Sequence, residues 1–341
     1  MDPPIFTTLG LFVIDDNLYP GTDRPSEHDI IGGGASYALV GGRIISGPQY
    51  GHRITGIIDR GSDFPPAVDK ELASWDTGMV FRTDPTRLTT RGANIYIDDI
   101  RHFEFRTSKI RIEARDVVAN PWLLGSRVFH MCCTVERAEQ IIDTINLEVA
   151  TPPVYVFEPF PADCVPERME LLARVLQKID VFTPNLDEAC ALLGVDKPAT
   201  DYLVVTSQFQ QHMKIPNSGT LVRCGADGCY IHTVDGLKAH LPAYHQDQTK
   251  VVDVTGGGNT FCGAFGVAFE LSHGDWLTAA ICGNVASGCV IERLGVPRRE
   301  PGTEVWNGVS VADRIRVYTQ AYQAETPESE WTRLAIGWLT T

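Results

Sequence analysis

From Arg127 to Gly225 the chain changes its hydrophobic period again and again. RVFHMCC, PVYVFEP, DVFTP and TLVRCG are apolar runs rich in β-branched and aromatic residues, each ending in turn or polar residues. Between them, TVERAEQIIDTI, ERMELLARVLQKI and NLDEACALLGV carry apolar residues three and four apart, the spacing of one helix face. Strands that alternate with helices join by crossovers, so the pattern predicts an α/β fold: a mostly parallel central sheet with helices on both faces. Residues 1–112 behave differently. IFTTLGLFVID reads as one further strand, while TRLTTRGANIYIDD and RHFEFRTSKIRIEA alternate at period two with Gly or Asp between them. They predict a small antiparallel β lid formed by parts of 15–30 and 40–112. No repeat and no long linker divides the chain, so 1–341 reads as a single domain. VVTSQFQQHMKIPNSG reads as a surface connection. The stretch after about residue 298 has no clear place, although VADRIRVYTQAYQ has helical spacing.

Charge narrows the function classes. With 29 basic against 43 acidic residues the net charge is -14, a field that repels nucleic acid and anionic lipid. Neither is an expected partner. A small anion remains open, because backbone N–H groups at a helix start hold phosphate locally. No apolar run approaches the roughly 20 residues of a membrane span, and no leader-type segment is evident, so the expected address is cytoplasmic. The nine cysteines form no paired CxxC units and read as reduced, mostly buried thiols.

One segment carries chemistry. In VVDVTGGGNTFCGAFGVAFELSHG a β-branched run leads into Gly256, Gly257 and Gly258, and a helix follows toward Gly274. Glycines let backbone approach an anion with no Cβ in the way, and the unpaired N–H groups of a first helical turn point at it. Phe261, Phe265 and Phe269 recur every four residues as a core stripe, with Gly263 and Gly266 permitting close packing. Taken alone, the segment is either an anion hole or a tight turn.

Other segments, in order, resemble the ribokinase/pfkB family of small-molecule kinases over most of residues 9–297. DVTGGGN is similar to the family's C-terminal signature, FTPNLDEACALLG to its Asn-x-x-Glu element, and LVRCGADGCYIH to the strand and turn beside the nucleotide. IIGGGASYALVGGRI resembles the Gly-Gly segment against the substrate, GLFVIDD the first strand, and GNVASGCVIERLG the late helix flanking adenine. The resemblance implies a ribokinase-like sandwich with a β lid, ATP and Mg2+ as cofactors, and a small-molecule acceptor. Gly256, Gly257 and Gly258 would hold the transferring phosphoryl group. Asn185 and Glu188 would organise magnesium; Arg223, Gly225, Gly228 and Asn284 would border the nucleotide. Asp15, Asp16, Gly32, Gly33, Ser36 and Arg101 fall on the acceptor side. Lids of this family also serve as dimer surfaces, which implies a homodimer through the lid.

Plainer readings stand beside these. Glu188 is either metal-linked or an acid favouring a helix start. Asp253 either binds a monovalent cation or is a turn acid, and either Asp15 or Asp16 is the site residue. His130 ends a strand at the expected cleft, where a satisfied structural histidine is the stronger reading. Arg101 reaches substrate from the lid or faces water.

The departures from the family matter most. Asn259 falls where the resemblance puts the catalytic Asp, and an amide cannot take the acceptor's proton. Arg223 replaces a small hydroxyl residue, either compensating phosphate charge or ending a strand exposed. Ser36, beside Tyr37, replaces a frequent substrate-contacting Asn. With PTRLTTRGANIY, the GGGN loop is most similar to a fungal, killer-maintenance-like branch. Three functions stay open: an ATP-dependent kinase-like phosphotransferase with a non-standard centre, a nucleotide-binding pseudokinase or regulator, and a repurposed enzyme acting on a secondary metabolite without phosphoryl transfer. In a kinase that had merely lost its base, Asn259→Asp would raise turnover about 10²-fold.

Overall fold

The strand-like runs assemble as the alternation requires. In this computed structural model, residues 2–97, 100–198, 202–323 and 336–339 are described. The strands are β1 (Phe6–Thr8), β2 (Val13–Leu18), β3 (Glu27–Gly32), β4 (Ile54–Arg60), β5 (Val80–Thr83), β6 (Arg91–Ile97), β7 (Ile100–Phe105), β8 (Val128–Cys133), β9 (Val154–Pro159), β10 (Val181–Phe182), β11 (Gly219–Arg223), β12 (Cys229–Thr233) and β13 (Lys238–Leu241). Nine of them form the central sheet in the order β13-β12-β11-β10-β9-β8-β1-β4-β5. It is parallel from β11 to β5 and antiparallel only at the β11–β12–β13 edge.

The helices are α1 (Gly33–Tyr50), α2 (Pro66–Ser74), α3 (Ala114–Val118), α4 (Pro121–Leu124), α5 (Val135–Glu148), α6 (Met169–Val175), α7 (Leu186–Leu193), α8 (Leu203–Gln210), α9 (Gly257–Leu271), α10 (Trp276–Val290) and α11 (Val311–Gln323). They cover both faces. On one, Leu39 and Ile44 of α1, the Phe261–Phe265–Phe269 stripe of α9 and Ile281 and Val285 of α10 bury against Phe6, Val128 and Val156. On the other, Ile141, Ile142 and Ile145 of α5, Leu192 of α7 and Phe209 of α8 bury against Phe129, Tyr155 and Phe157. Adjacent strand residues thus feed opposite cores, as a pleat demands. α9 is central because Gly263 and Gly41 let it touch α1: a Cβ on Gly263 would stand 2.0 Å from the Ala38 carbonyl oxygen, and one on Gly41 would stand 2.1 Å from that of Thr260.

The four-stranded lid has the order β3-β2-β6-β7. β2–β3 and β6–β7 are antiparallel, but β2 and β6 run parallel. The region 40–112 also supplies β4, β5 and α2, which belong to the main fold. IFTTLGLFVID divides into β1 of the sheet and β2 of the lid. The break falls near Gly10, whose Cβ, if present, would meet the Ala35 backbone N at 2.6 Å. VVTSQFQQHMKIPNSG is not a mere connection, since α8 runs from Leu203 and buries Val205 and Phe209 four residues apart; its β-branched residues masked the helical period. Beyond residue 298, β14 (Val305–Trp306) pairs with β15 (Val309–Ser310) before α11. The segment is anchored by the buried Arg43, whose guanidinium donates to both Glu304 oxygens at 2.8 Å. All nine cysteines are free, and among the described residues no helix is long and apolar enough to cross a membrane.

Candidate functional site

Ligands of open parallel sheets bind beyond the carboxyl ends of the strands, and a cleft lies there. It has a volume of about 390 Å³ and is walled by the β9 and β11 ends, the turns at Asn185 and Gly225–Gly228, the Tyr244–Gln248 segment, the Gly256–Asn259 loop, and α10 from Asn284 to Ile291. The expected phosphate and nucleotide elements therefore converge on one cavity.

The loop is shaped by its neighbours. Gly256 caps α9 in the left-handed region, φ 79° and ψ -8°, and no side chain caps the first-turn N–H groups. A Cβ there would meet the Tyr37 ring at 2.2 Å, and one on Gly258 would meet Arg223 Nη1 at 2.0 Å. Gly257 faces Ile291 and Ser287 at 3.1 and 3.2 Å by the same measure. The result is an uncapped positive helix end with a guanidinium laid against it, an arrangement suited to anions.

Arg223 is not an exposed strand end. Its Nη2 lies 2.7 Å from Glu158 Oε1 and donates to the Thr183 carbonyl at 3.0 Å; Glu188 Oε2 is 3.7 Å away. The other Glu158 oxygen, Oε2, accepts from Asn259 Nδ2, and His130 Nε2 approaches it at 3.5 Å, too long for a good hydrogen bond. At the far side of the ring, His130 Nδ1 lies 3.0 Å from Thr8 Oγ1, which accepts from the Gly10 N–H. Burial alone would push the Glu158 carboxyl up, but Arg223, His130 and Asn259 together hold it at about 2. Burial raises Glu188 to about 7 because Arg223 compensates it less. The Arg223 guanidinium, despite burial, is held above its ordinary value by Glu158.

Glu158 was invisible as a site residue, since an acid ending an apolar strand reads as a simple terminator. Tyr244, His245 and Gln248 also line the cleft without a motif to announce them, whereas Ser287 falls in the GNVASGCVIERLG segment.

The remaining expected residues fall into two groups. Asn185 lines the cleft and caps α7, its Oδ1 accepting from the Glu188 N–H while Glu188 Oε2 accepts from the Asn185 N–H, both at 2.8 Å. Glu188 stands behind Arg223, off the cleft wall. Gly225 (φ 58°) and Gly228 (φ 79°) shape the β11–β12 turn, and Asn284 donates to Tyr318 Oη at 3.0 Å and to the Pro242 carbonyl at 3.2 Å. Asp253 Oδ1 accepts from the Thr255 N–H at 3.0 Å, as a turn acid does.

The acceptor-side residues lie apart from this cavity and reach it through two contacts: Tyr37 over Gly256, and Gly34, whose Cβ would be 3.4 Å from Asn259 Oδ1. Asp15 is buried on β2 between Gly32 and Gly92, while Asp16 accepts from the Asp29 N–H and pairs with His28 at 3.2 Å. Gly33 (φ 83°) has the Leu11 carbonyl where a Cβ would go, and Ser36 donates to the Gly32 carbonyl at 2.7 Å. Arg101 lies in β7 opposite Tyr96; its side chain falls outside the described residues.

His130, Glu158 and Cys262 bring potential metal ligands within 4.8 Å of one another. Arg223 already supplies the cation there, and burial pushes the Cys262 thiol well above its ordinary value, so the donor set does not favour an ion. Glu188 fits one better: its poorly compensated charge would gain from magnesium, which keeps several waters and needs few protein ligands.

Comparison with known proteins agrees with the geometry. Residues 135–301 match the pfkB family carbohydrate kinase domain. Protein MAK32 of Saccharomyces cerevisiae is 36% identical over 336 residues, 91% of each chain. An uncharacterized protein of Schizosaccharomyces pombe is 33% identical over 340 residues, 92% of each. Among solved structures, a putative ribokinase II from E. coli in complex with ATP and Mg2+ superposes with a TM-score of 0.67 at 18% identity, covering 94% of this chain and all of that one.

Proposed function

The chain belongs to the ribokinase/pfkB family, in a branch with fungal members, and on that premise we propose that it is an ATP-dependent small-molecule phosphotransferase with a non-standard catalytic centre. The observation that carries this reading is the uncapped start of α9, with Arg223 against Gly258, opening into a cleft large enough for a nucleotide. Phosphoryl transfer is mostly positioning and electrostatics, and these residues supply both. The first-turn N–H groups and Arg223 stabilise charge on the transferring group. The turn at Gly225–Gly228 and the Asn284–Ile291 face of α10 hold the nucleoside. Asn185 and Glu188 are the residues that would organise magnesium, which would supply positive charge to the phosphates. Asn259 Oδ1, toward Gly34, accepts a hydrogen bond from a donor of the acceptor other than the attacking hydroxyl and orients it. Asp253 is the candidate for a monovalent cation. The acceptor enters from the lid side, where Asp15, Asp16 and Arg101 are the candidate contacts.

The test is calorimetric titration with ATP and magnesium, followed by an ATP-consumption screen over sugars, nucleosides and small alcohols. Binding at micromolar to millimolar nucleotide is expected, with weak or no turnover of common sugars. Absence of any heat at millimolar nucleotide refutes the proposal. A second reading, a nucleotide-binding regulator without turnover, is favoured by the amide at Asn259; binding with no consumption of ATP on any acceptor or on water supports it. Repurposed, non-phosphoryl chemistry on a secondary metabolite would lead if nucleotide does not bind. The lid is also the candidate homodimer surface, since Ile97 and Phe103 are 48% and 45% exposed on it; sedimentation as a monomer at micromolar concentration would refute that.

A further inference from the structure

Nothing in the kinase reading accounts for Glu158, the carboxylate at the centre of the site. It ends β9, is 7% exposed, lines the cleft and lies against Asn259. Its carboxylate would be 3.5 Å from a Cβ on Gly258, so it faces the same loop that would hold the transferring group. We propose that Glu158 is the general base of this centre, displaced from the start of α9 to the end of β9, and that Arg223 holds it inactive until a phosphate takes its place. The proposal rests on the phosphotransferase reading and assigns that reaction its missing proton acceptor.

The geometry supplies both halves of this device. One Glu158 oxygen is bound to Arg223 at 2.7 Å and the other accepts from Asn259. So engaged, the carboxylate is a weak base, held near 2 despite its burial. The triphosphate of a nucleoside triphosphate brings more negative charge to Arg223 than one carboxylate and draws the guanidinium toward the α9 start, where Nη1 already touches Gly258. Glu158 then loses its strongest partner while staying buried, and burial without a cation raises a carboxyl. It is faced by His130 and Cys132 from β8, Glu188 from α7, Arg223 from β11 and Asn259 and Cys262 from α9. Of these Arg223 alone is a fixed cation; the Glu188 carboxylate and any thiolate charge push in the same upward direction.

The step balances simply. The acceptor oxygen forms a bond to the γ-phosphorus, the bond from that phosphorus to the β–γ bridging oxygen breaks, and the acceptor's hydroxyl proton passes to Glu158. The nucleoside diphosphate leaves with the electron pair. Asn259, donating to Glu158 with Nδ2 while its Oδ1 faces Gly34, ties base and acceptor together.

The test is a charge exchange. Glu158→Gln, Asn259→Asp and the double variant are compared with wild type by calorimetry using a non-hydrolysable ATP analogue with magnesium, and by ATP consumption on the acceptor panel and on water across pH. Glu158→Gln should lower kcat at least ~100-fold and abolish the acid limb of the kcat profile. It should also tighten nucleotide binding severalfold, because Arg223 loses its carboxylate competitor. A purely structural role would weaken binding together with turnover. The double variant returns a carboxylate to position 259 opposite an amide and should recover turnover to within ~10-fold of wild type. Unchanged kcat in Glu158→Gln, or an acid limb that survives it, overturns the inference and leaves the kinase reading standing. Binding without turnover in wild type and in every variant overturns it too and favours the regulator. Absence of nucleotide binding in all four proteins removes the phosphotransferase reading itself.

Discussion

Replacing Asn259 by Asp gives the sharpest single test of how the centre is wired. A site that had simply lost its acid would gain from this change, but here the amide donates to the Glu158 carboxylate, and an aspartate has no proton to donate. Two unit charges about 3 Å apart repel by about 5 kcal/mol at an effective dielectric of 20. Arg223, at 2.7 Å from the other Glu158 oxygen, offsets part of this, so the expected loss is about 2–3 kcal/mol at neutral pH, or roughly 3–4 °C in Tm. The sign with pH follows from linkage. The unfolded Asp titrates near about 3.9, and Glu158 raises it in the folded state. Between those two values the native variant binds more protons than the unfolded chain, so its stability falls as pH rises. The deficit relative to wild type should vanish toward pH 4 and be complete above the raised folded value. Differential scanning fluorimetry of both proteins from pH 4.5 to 8 measures it. Equal Tm at pH 8, or a gap that widens as pH falls, would refute the argument, and turnover should drop rather than rise.

Three further outcomes are expected. Gly258→Ala drives a methyl group into an Arg223 pinned by Glu158 and the Thr183 carbonyl, so nucleotide affinity in calorimetry should fall at least ~10-fold, about 1.4 kcal/mol; unchanged affinity would mean the guanidinium is free to move. Glu188→Gln keeps an acceptor for the α7 cap but removes a carboxyl raised from 4.5 to about 7. Such a group costs stability increasingly as pH rises from about 4.5 to 7, so the variant should gain up to about 3 kcal/mol in urea melts at pH 8 without metal, and nothing at pH 4. Arg223→Thr and Glu158→Gln each break a buried pair, Arg223→Thr at a cost of about 3–5 kcal/mol, but the double variant should cost clearly less than the sum; additive losses would show the two are not coupled.

The architecture was legible because parallel strands buried on both faces leave unmistakable apolar runs; Glu188 was legible as an acid at a helix start, and the structure joins it to Asn185 in a capping box. Gly225 and Gly228 were marked by the resemblance and Gly256 by the strand-to-helix turn, and the structure gives all three a positive φ. Features that depend on distant neighbours were hidden. The division of IFTTLGLFVID at Gly10 depends on α1, twenty-five residues on at Ala35. The parallel β2–β6 pairing joins segments some 77 residues apart, as Asn17 to Asn94, and no local period reports it.

The two departures that looked separate in sequence, a guanidinium at 223 and an amide at 259, meet on the two oxygens of Glu158. Arg223, its side chain only 10% exposed, would carry an uncompensated charge with no anion, and Glu158 supplies the compensation from β9, two strands away. Once Glu158 is there, position 259 touches a carboxylate. An acid at 259 would be repelled, and an apolar residue would leave the second oxygen without a donor. Asparagine satisfies Glu158 with its amide nitrogen and still presents an oxygen toward the acceptor side. Asn259 therefore suits the neighbours it has, and on the proposal above the carboxylate that serves this centre is Glu158 at the strand end rather than a side chain at the helix start.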